Sequence, residues 1–523
     1  MMDVLFITPG NASGIYQELA DDYSAIEPPT WALLLAQSCR AVGFVVGLID
    51  INAEKLEKSQ VLERITSFSP RLLCFVVYGQ NVNSGTVNMS GAIAMSDYLR
   101  EAGVKIPIAY LGSYVQALPV KALKDEPSID LAFTNEGVYA LRNLLSLPVI
   151  DLNDLSAVKG IAWRKNGRII MNRPEKIVPD ERMDTDLPGY AWDLLPYKAR
   201  PFDLYKAPLW HAEYDQAKRT PYAAIQTSLG CRFGCDFCMI NILNRDDNDE
   251  TGVAANYRGM RYWTPEFIFR EFEKLISMGV ETIKITDEMF LLDKNHFIPL
   301  CEMLRKNGYG KKLRMWAYSR IDTIKRPELL ALVREAGIKW LALGIESGDQ
   351  EIRIEVSKGK FEDVDIRQVV KQVHDAGIEV MANYIFGLQG DTRESMRKTL
   401  DLSLELCTFG WNGYAMMALP GSKVYKDAID RGIPLPDTYE GFSFHGYNTL
   451  PLPTETLSAG EILAFRDRAY QIYHSDPAFL DTIKNKFGEK AHANILEMLK
   501  IKLKRKILQT DERSALQGET DSI

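Results

Sequence analysis

Over residues 1–146 strand-length apolar runs alternate with amphipathic stretches. VLFIT (4–8), VVGLID (45–50), LLCFVV (72–77), IPIAYL (106–111) and DLAF (130–133) are nearly free of polar positions. PTWALLLAQSCRAVG (29–43), VNMSGAIAMSDYLREAG (87–103) and EGVYALRNLL (136–145) instead repeat their apolar residues at helical spacing. Buried strands separated by helices predict an α/β domain built on an open, doubly wound parallel sheet. Its ligand crevice lies beyond the carboxyl ends of the strands. The turns expected there, PGNASG (9–14), YGQNVNSG (78–85), LGSY (111–114) and TNEG (134–137), are small and polar.

From 147 to 218 the pattern changes. KGIAWRKNGRIIMNRP (159–174) predicts a hairpin turning at Asn166-Gly167. PGYAWDLLPYKARPF (188–202), rich in proline and aromatics, predicts an ordered linker laid over a neighbouring surface. A second strand–helix series then fills 219–428. AAIQTS (223–228), TIKITD (282–287), LRMWAY (313–318), WLALGI (340–345), VMANYIFG (380–387) and NGYAMMAL (412–419) alternate with helical stretches such as TPEFIFREFEKLISMG (264–279). Six such repeats predict a partial α/β barrel with its chemistry at the C-terminal strand ends. Residues 429–510 read as a helical C-terminal region, the KLKRK run (502–506) as a solvated helix end, and 511–523 as a disordered tail.

A chain of 523 residues exceeds one ordinary core, in keeping with several domains. Hydrophobic content of 46% with 25% charged residues is that of a water-soluble protein. The net charge of -8 speaks against general attraction to nucleic acid. MMDVLFITPG lacks the basic and apolar regions of a signal peptide, and no run reaches the ~18 apolar residues of a membrane span. Seven cysteines without framework spacing fit a reducing compartment. A cytoplasmic protein with no nucleic-acid or membrane partner is expected.

Three of those cysteines, Cys231, Cys235 and Cys238, fall in TSLGCRFGCDFC (227–238), directly after the first barrel strand. A structural zinc site is closed by four ligands. His211 lies upstream and His296 far downstream, so zinc stays open only through a distant ligand. A 4Fe–4S cluster takes one thiolate per iron, and three thiolates would leave one iron for an external ligand. Gly230 and Gly234 allow the loop to wrap such a cluster, whereas Arg232 and Asp236 interrupt any apolar face. Cys39, Cys74, Cys301 and Cys407 sit in apolar or helical patterns and read as core thiols.

The C-x3-C-x2-C spacing, with Phe237 before the third cysteine, resembles the cluster motif of the radical S-adenosylmethionine (SAM) superfamily. The likeness continues through all six barrel strands. The resemblance implies a 4Fe–4S cluster on Cys231, Cys235 and Cys238, with SAM chelating the open iron and cleaved reductively to a 5′-deoxyadenosyl radical. It implies SAM contacts from Phe237, from Asp287 and Glu288 after strand two, from Arg320 (with Asp322) after strand three, from Glu346 after strand four, and from Gly387 and Leu388 after strand five. It also implies an electron donor of flavodoxin or ferredoxin type. TDE (286–288) departs from the more familiar Gly-Gly-Glu.

The order of open α/β domain, hairpin, barrel and helical region resembles the cobalamin-binding branch of that superfamily, with PPTWALLLAQ (28–37), LGSYVQALP (111–119) and TNEG (134–137) as landmarks. On that likeness the first domain is Rossmann-like and holds cobalamin through Tyr78, Gly79, Gln80, Asn81, Gly112, Ser113, Glu136 and Gly137. The first histidine of the chain is His211, so this domain offers cobalt no imidazole. The implied function is methylation of an unactivated carbon of a small polar metabolite. Ring contraction, cyclisation or rearrangement without methyl transfer is the alternative, and a non-enzymatic Fe–S or corrinoid carrier a third reading. A methylthiotransferase would need a second N-terminal cluster, for which only Cys39 and Cys74 are present. Tyr318, Asn383, Tyr384, Trp411, Asn412 and Tyr414 are candidate pocket residues, with HGYNTLPLPTETLS (445–458) closing the barrel or covering the substrate. No catalytic residue is identified, and oligomeric state is not legible.

Overall fold

The computed structural model describes residues 2–10, 12–79, 81–196, 204–207, 209–324, 326–356 and 364–509. The first sheet contains β1 (Met2–Thr8), β2 (Val46–Asp50), β3 (Pro70–Val77), β4 (Ile108–Gly112), β5 (Leu131–Phe133), β6 (Ile161–Lys165) and β7 (Arg168–Met171). Their order is β2-β1-β3-β4-β5-β6-β7. The pairs from β2 to β5 are parallel. The strand runs are apolar because both faces are covered: Val4–Ile7 and Leu72–Phe75 are fully buried.

The hairpin β6–β7 turns at Asn166 and Gly167, both with positive φ, and adds antiparallel to β5. Expected as part of a linker, it is instead the edge of the first sheet, with Ile161, Ala162 and Trp163 fully buried. The chain steps from β1 out to β2, then crosses back to β3 on the other side of β1. That reversal separates the connections after β1 and β3 and opens a crevice at the strand ends.

The second series comprises β8 (Tyr222–Ile225), β9 (Ser228–Cys231), β10 (Gly259–Tyr262), β11 (Thr282–Ile285), β12 (Arg314–Arg320), β13 (Ile338–Glu346), β14 (Glu379–Phe386) and β15 (Gly410–Ala415). Six of them form a parallel half-barrel in the order β15-β14-β13-β12-β11-β8. AAIQTS is not one strand. β8 ends at Ile225, and Ser228 opens a separate antiparallel ribbon, β9 with β10, that carries the first cysteine.

Alternation along the barrel strands sorts their side chains. Met315, Ala317, Leu341, Leu343, Val380 and Ala382 are fully buried outside the lumen, whereas Trp316, Tyr318, Ala342, Gly344, Met381 and Asn383 line it. A closed barrel fills its interior with branched side chains. Here Ala342 and Gly344 on β13 leave the lumen hollow.

The C-terminal helices are Ala459–Ser475, Pro477–Phe487 and Glu489–Lys500, the first started by a Ser458–Glu461 capping box. The KLKRK run is solvated at Lys502, Lys504 and Lys506, as expected, but it is not a helix end. Residues 501–505 are non-helical, and Arg505 is 3% exposed. No helix is long and apolar enough to cross a membrane.

Candidate functional site

A cavity of about 810 Å³ opens where the two sheets meet. The crevice of the first sheet supplies one wall: Tyr16 and Glu27 follow β1, and Asn81, Asn83, Ser84 and Val87 follow β3. Cys231, Cys235 and Cys238 form another wall, and the barrel lumen and C-terminal helices supply the rest.

The cysteine loop is braced from below. Asp287 accepts from Thr227 N at 2.6 Å, Thr227 Oγ1 at 2.6 Å and Ser228 Oγ at 2.7 Å. Thr227 Oγ1 also meets His296 Nε2 at 2.8 Å. Gly230 has φ +83, and a Cβ there would lie 2.2 Å from Gly259 O, so only glycine lets the ribbon close. Asn241 Oδ1 accepts from Cys231 N at 2.8 Å, while Asn83 Oδ1 accepts from Met239 N at 2.9 Å. Asn83 thereby ties the first domain to the cysteine loop, its Nδ2 lying 3.6 Å from Cys238 Sγ. Burial pushes the Cys231 thiol up to about 12 and the Cys235 thiol to about 11.

Two carboxyl groups of the cavity, Glu288 and Glu346, have no ion-pair partner among the described residues. Burial pushes each up to about 7; Asp287 adds to this at Glu288, and Arg320 opposes it at Glu346. Glu346 holds φ +67 at a register shift in β13, a conformation costing an L-residue about 1–2 kcal/mol. Its carboxylate folds back over Gly344, where a Cβ would stand 2.6 Å from Glu346 Oε1. Arg320 is gripped by Asp322 through Nε at 2.6 Å and Nη2 at 2.5 Å, its guanidinium 3.8 Å from the Phe233 ring centre. This end of the chamber presents three thiols, two unpaired carboxyls and a neutralised arginine, chemistry matched to a metal cluster and a cationic ligand.

Among the residues singled out from sequence, Cys231, Cys235, Cys238, Phe237, Glu288, Arg320 and Glu346 line the cavity. Asp287 does not, its carboxylate being spent on Thr227 and Ser228. Gly387 and Leu388 also lie off it: their N–H groups donate to Asp391 Oδ2 at 3.0 and 2.9 Å. Leu388 packs instead with Ile385 and Met416 behind Phe237.

Of the expected corrin contacts, only Asn81 lines the cavity. Gln80 lies outside the described residues. Glu136 is committed elsewhere, to Arg261 Nη2 at 2.7 Å and Val178 N at 2.6 Å. Gly79 packs on Ser84, Gly112 on Val77 O and Gly137 on Leu111. Tyr78 meets Trp31 edge-on at 5.9 Å, and the hydroxyls of Tyr78, Thr86 and Ser113 are buried without a partner among the described residues. Among the described residues singled out after β4 and β5, none lines the chamber.

Tyr318, Asn383, Trp411, Asn412 and Tyr414 line the lumen. Tyr384 does not; it is fully buried behind Trp411. Cys39, Cys74 and Cys301 are buried free thiols, and Cys407 is half-buried.

Several lumen residues escape sequence reasoning. Lys284 Nζ lies 2.5 Å from Glu27 Oε1, which also accepts from Tyr222 Oη at 3.3 Å. A lysine inside the apolar run TIKI was the available signal. Arg466, Asp467 and His474 also line the cavity, and their helical pattern carries no mark of that position; His445 lines it from the 445–458 segment expected to close the barrel or cover the substrate.

Residues 225–403 match the family model described as the Radical SAM superfamily. An anaerobic magnesium-protoporphyrin IX monomethyl ester cyclase of Rubrivivax gelatinosus is 25% identical over 496 residues, covering 92% of this chain and 78% of its own. An uncharacterized methyltransferase of Pyrococcus horikoshii is 23% identical over 437 residues, covering 82% of this chain and 83% of its own. The fold is shared with TsrM, a radical SAM methyltransferase from Kitasatospora setae solved with tryptophan and a SAM analogue, at a TM-score of 0.64 and 17% identity over 91% of this chain and 90% of that one. It is also shared with OxsB, a cobalamin-dependent SAM radical enzyme, at a TM-score of 0.61 and 14% identity, covering 100% and 82% of the two chains.

Proposed function

The chain belongs to the radical SAM superfamily, and on that premise we propose that it is a cobalamin-dependent enzyme methylating an unactivated carbon of a small molecule. The observation that carries this reading is a single chamber walled both by the three cysteines and by the switch-point crevice of the first sheet. Such a crevice is where open α/β sheets hold large ligands. The relatives named as methyltransferases support the same reading.

The residues present fit the groups this function needs. Cys231, Cys235 and Cys238 would hold a 4Fe–4S cluster. Glu288 and Glu346 would meet the positive charges of SAM, with Phe237 and its apolar neighbours beside the adenine. Asn81, Asn83, Ser84 and Val87 would face a corrin, and the unpartnered hydroxyls of Thr86 and Ser113 fit a polar group entering beyond the carboxyl ends of β3 and β4. Bound there, SAM and its cluster would supply a 5′-deoxyadenosyl radical and cobalamin the methyl group. The protein's part is to orient and shield them. Asp287 and Asn83 fix the cysteine loop, Gly344 makes room for the Glu346 carboxylate, and the lumen walls keep water from the reacting carbon. A flavodoxin- or ferredoxin-type donor would supply electrons.

The likeness to ring-forming cyclases favours a second reading, cyclisation without methyl transfer. Anaerobic reconstitution with reductant, SAM and cobalamin separates the two. Methyl transfer gives a product heavier by one CH2, with S-adenosylhomocysteine and 5′-deoxyadenosine formed together. 5′-Deoxyadenosine without S-adenosylhomocysteine or mass gain refutes methylation, and no SAM cleavage at all leaves only a carrier.

A further inference from the structure

Buried charges are ordinarily neutralised by a partner. Two of the lumen's cations obey: Lys284 is paired with Glu27 and Arg320 with Asp322, each at 2.5 Å. Arg466 does not. Only 6% exposed, it shares Asp467 with Arg505, itself 3% exposed. Arg466 Nη1 donates to Asp467 Oδ1 at 2.9 Å, and Arg505 donates to the same carboxylate through Nε at 2.8 Å and Nη2 at 2.9 Å. Among the described residues neither arginine has another carboxylate, so two guanidiniums on one Asp leave one net positive charge.

Arg505 is spent. Its other bonds go to Gly446 O, Phe444 O and Thr449 Oγ1 at 2.9 to 3.0 Å. Arg466 is not. Nε donates to Gly413 O at 2.7 Å, but Nη2 donates to no described group although the residue lines the cavity. His445 lines the same cavity with Tyr16 tilted against it at 5.5 Å. Burial and the two arginines hold its pKa down at about 3, so it adds no charge. Much of the remaining lumen is apolar, with Trp210, Trp316, Met381, Trp411, Tyr470 and Met498 along its walls.

We propose that Arg466 binds a carboxylate of the substrate, and that the substrate is otherwise an apolar, ring-sized molecule lying against those aromatic and thioether side chains. One uncompensated charge matches a monoanion. A phosphate monoester would bring a second charge that nothing buried meets, the cavity's remaining cations Arg468 and Lys502 both lying exposed. Asp467 and Arg505 are positioning residues that fix the guanidinium. The inference rests on the chamber being the substrate site of a radical SAM enzyme, and replaces the expected polar metabolite with an apolar acid.

Calorimetric titration of the anaerobic, SAM-loaded holoenzyme with naphthylacetate, naphthylethanol and naphthylethyl phosphate tests it. Naphthylacetate is expected to bind at least ~10-fold tighter than the alcohol, and the phosphate no tighter than the acetate. In Arg466→Met the acetate and alcohol should converge to within about threefold, with alcohol affinity retained as proof that the lumen still folds. Asp467→Asn, which loosens the anchor of the guanidinium, should shrink the preference for acetate over alcohol that the wild type shows. Equal binding of acetate and alcohol to the wild type, an acetate preference surviving in Arg466→Met, or no binding by any probe would overturn the proposal. SAM cleavage and product mass are read separately. A methylating enzyme indifferent to the acetate defeats only this inference, and an acetate-binding protein that never cleaves SAM defeats only the enzymatic reading.

Discussion

Asp287 separates a bracing role from a ligand-binding one. Replacing it with alanine leaves Thr227 N, Thr227 Oγ1 and Ser228 Oγ without their acceptor. Thr227 Oγ1 keeps His296 Nε2 at 2.8 Å, so two donors are fully orphaned. At about 1–3 kcal/mol for each buried unsatisfied group, the loss is roughly 2–6 kcal/mol. Relief from burying a carboxylate, which already pushes the Asp287 pKa up, moves the expected value to about 3 kcal/mol. Asp287→Asn keeps one good acceptor and should lose less. Urea unfolding of the cofactor-free protein measures this directly, with an unchanged m-value showing that only stability has moved. The reasoning is refuted if cofactor-free Asp287→Ala unfolds within about 0.5 kcal/mol of the wild type while SAM affinity of the reconstituted protein collapses. That result would make Asp287 a SAM contact.

Further outcomes follow from the chamber. Glu27→Gln strands the Lys284 ammonium and should cost about 3–5 kcal/mol, with Glu27→Gln/Lys284→Met recovering most of it in thermal denaturation. Gly344→Ala places a Cβ 2.6 Å from Glu346 Oε1. By displacing the carboxylate it should weaken SAM binding at least ~10-fold in equilibrium dialysis, while cluster content stays the same. His211, 1% exposed, is held neutral, its Nε2–H donating to Thr220 O at 2.7 Å, and burial drives its pKa down from 6.5 to about 4. A depressed histidine pKa contributes stability that is complete above pH 6.5 and is lost as pH falls toward 4, here about 3 kcal/mol. Denaturant unfolding across that window should show the decline, and His211→Gln should flatten it.

Much of the architecture was legible because the signals are local. Apolar runs such as LLCFVV and WLALGI are strands buried on both faces, and no other environment suits them. The cysteine motif was legible for the same reason, its three thiols and two glycines all lying in one short loop. Where partners are distant, reading by composition failed. AAIQTS looks like one strand, but Thr227 and Ser228 turn their hydroxyls to Asp287, about sixty positions on, and the strand breaks there. The expected corrin contacts came from small, polar turns after β3, β4 and β5. Strand order, a matter of non-local pairing, puts the switch between β1 and β3, and of those residues only Asn81 lines the chamber, beside Tyr16, Glu27 and Asn83. The lysines of KLKRK are solvated as expected, but nothing nearby in sequence shows that Asp467 and Thr449 hold Arg505 in the interior.

The sequence by itself determined the two sheets and the loop that would hold a cluster, since hydrophobic period and ligand spacing act within a few residues. Only the tertiary structure decided what shares the chamber with that loop. Lys284 meets Glu27 from 257 positions away, and Arg466 reaches the lumen through Gly413. Buried charge must be balanced by whatever folding brings beside it, and that neighbour is set by packing rather than by position along the chain.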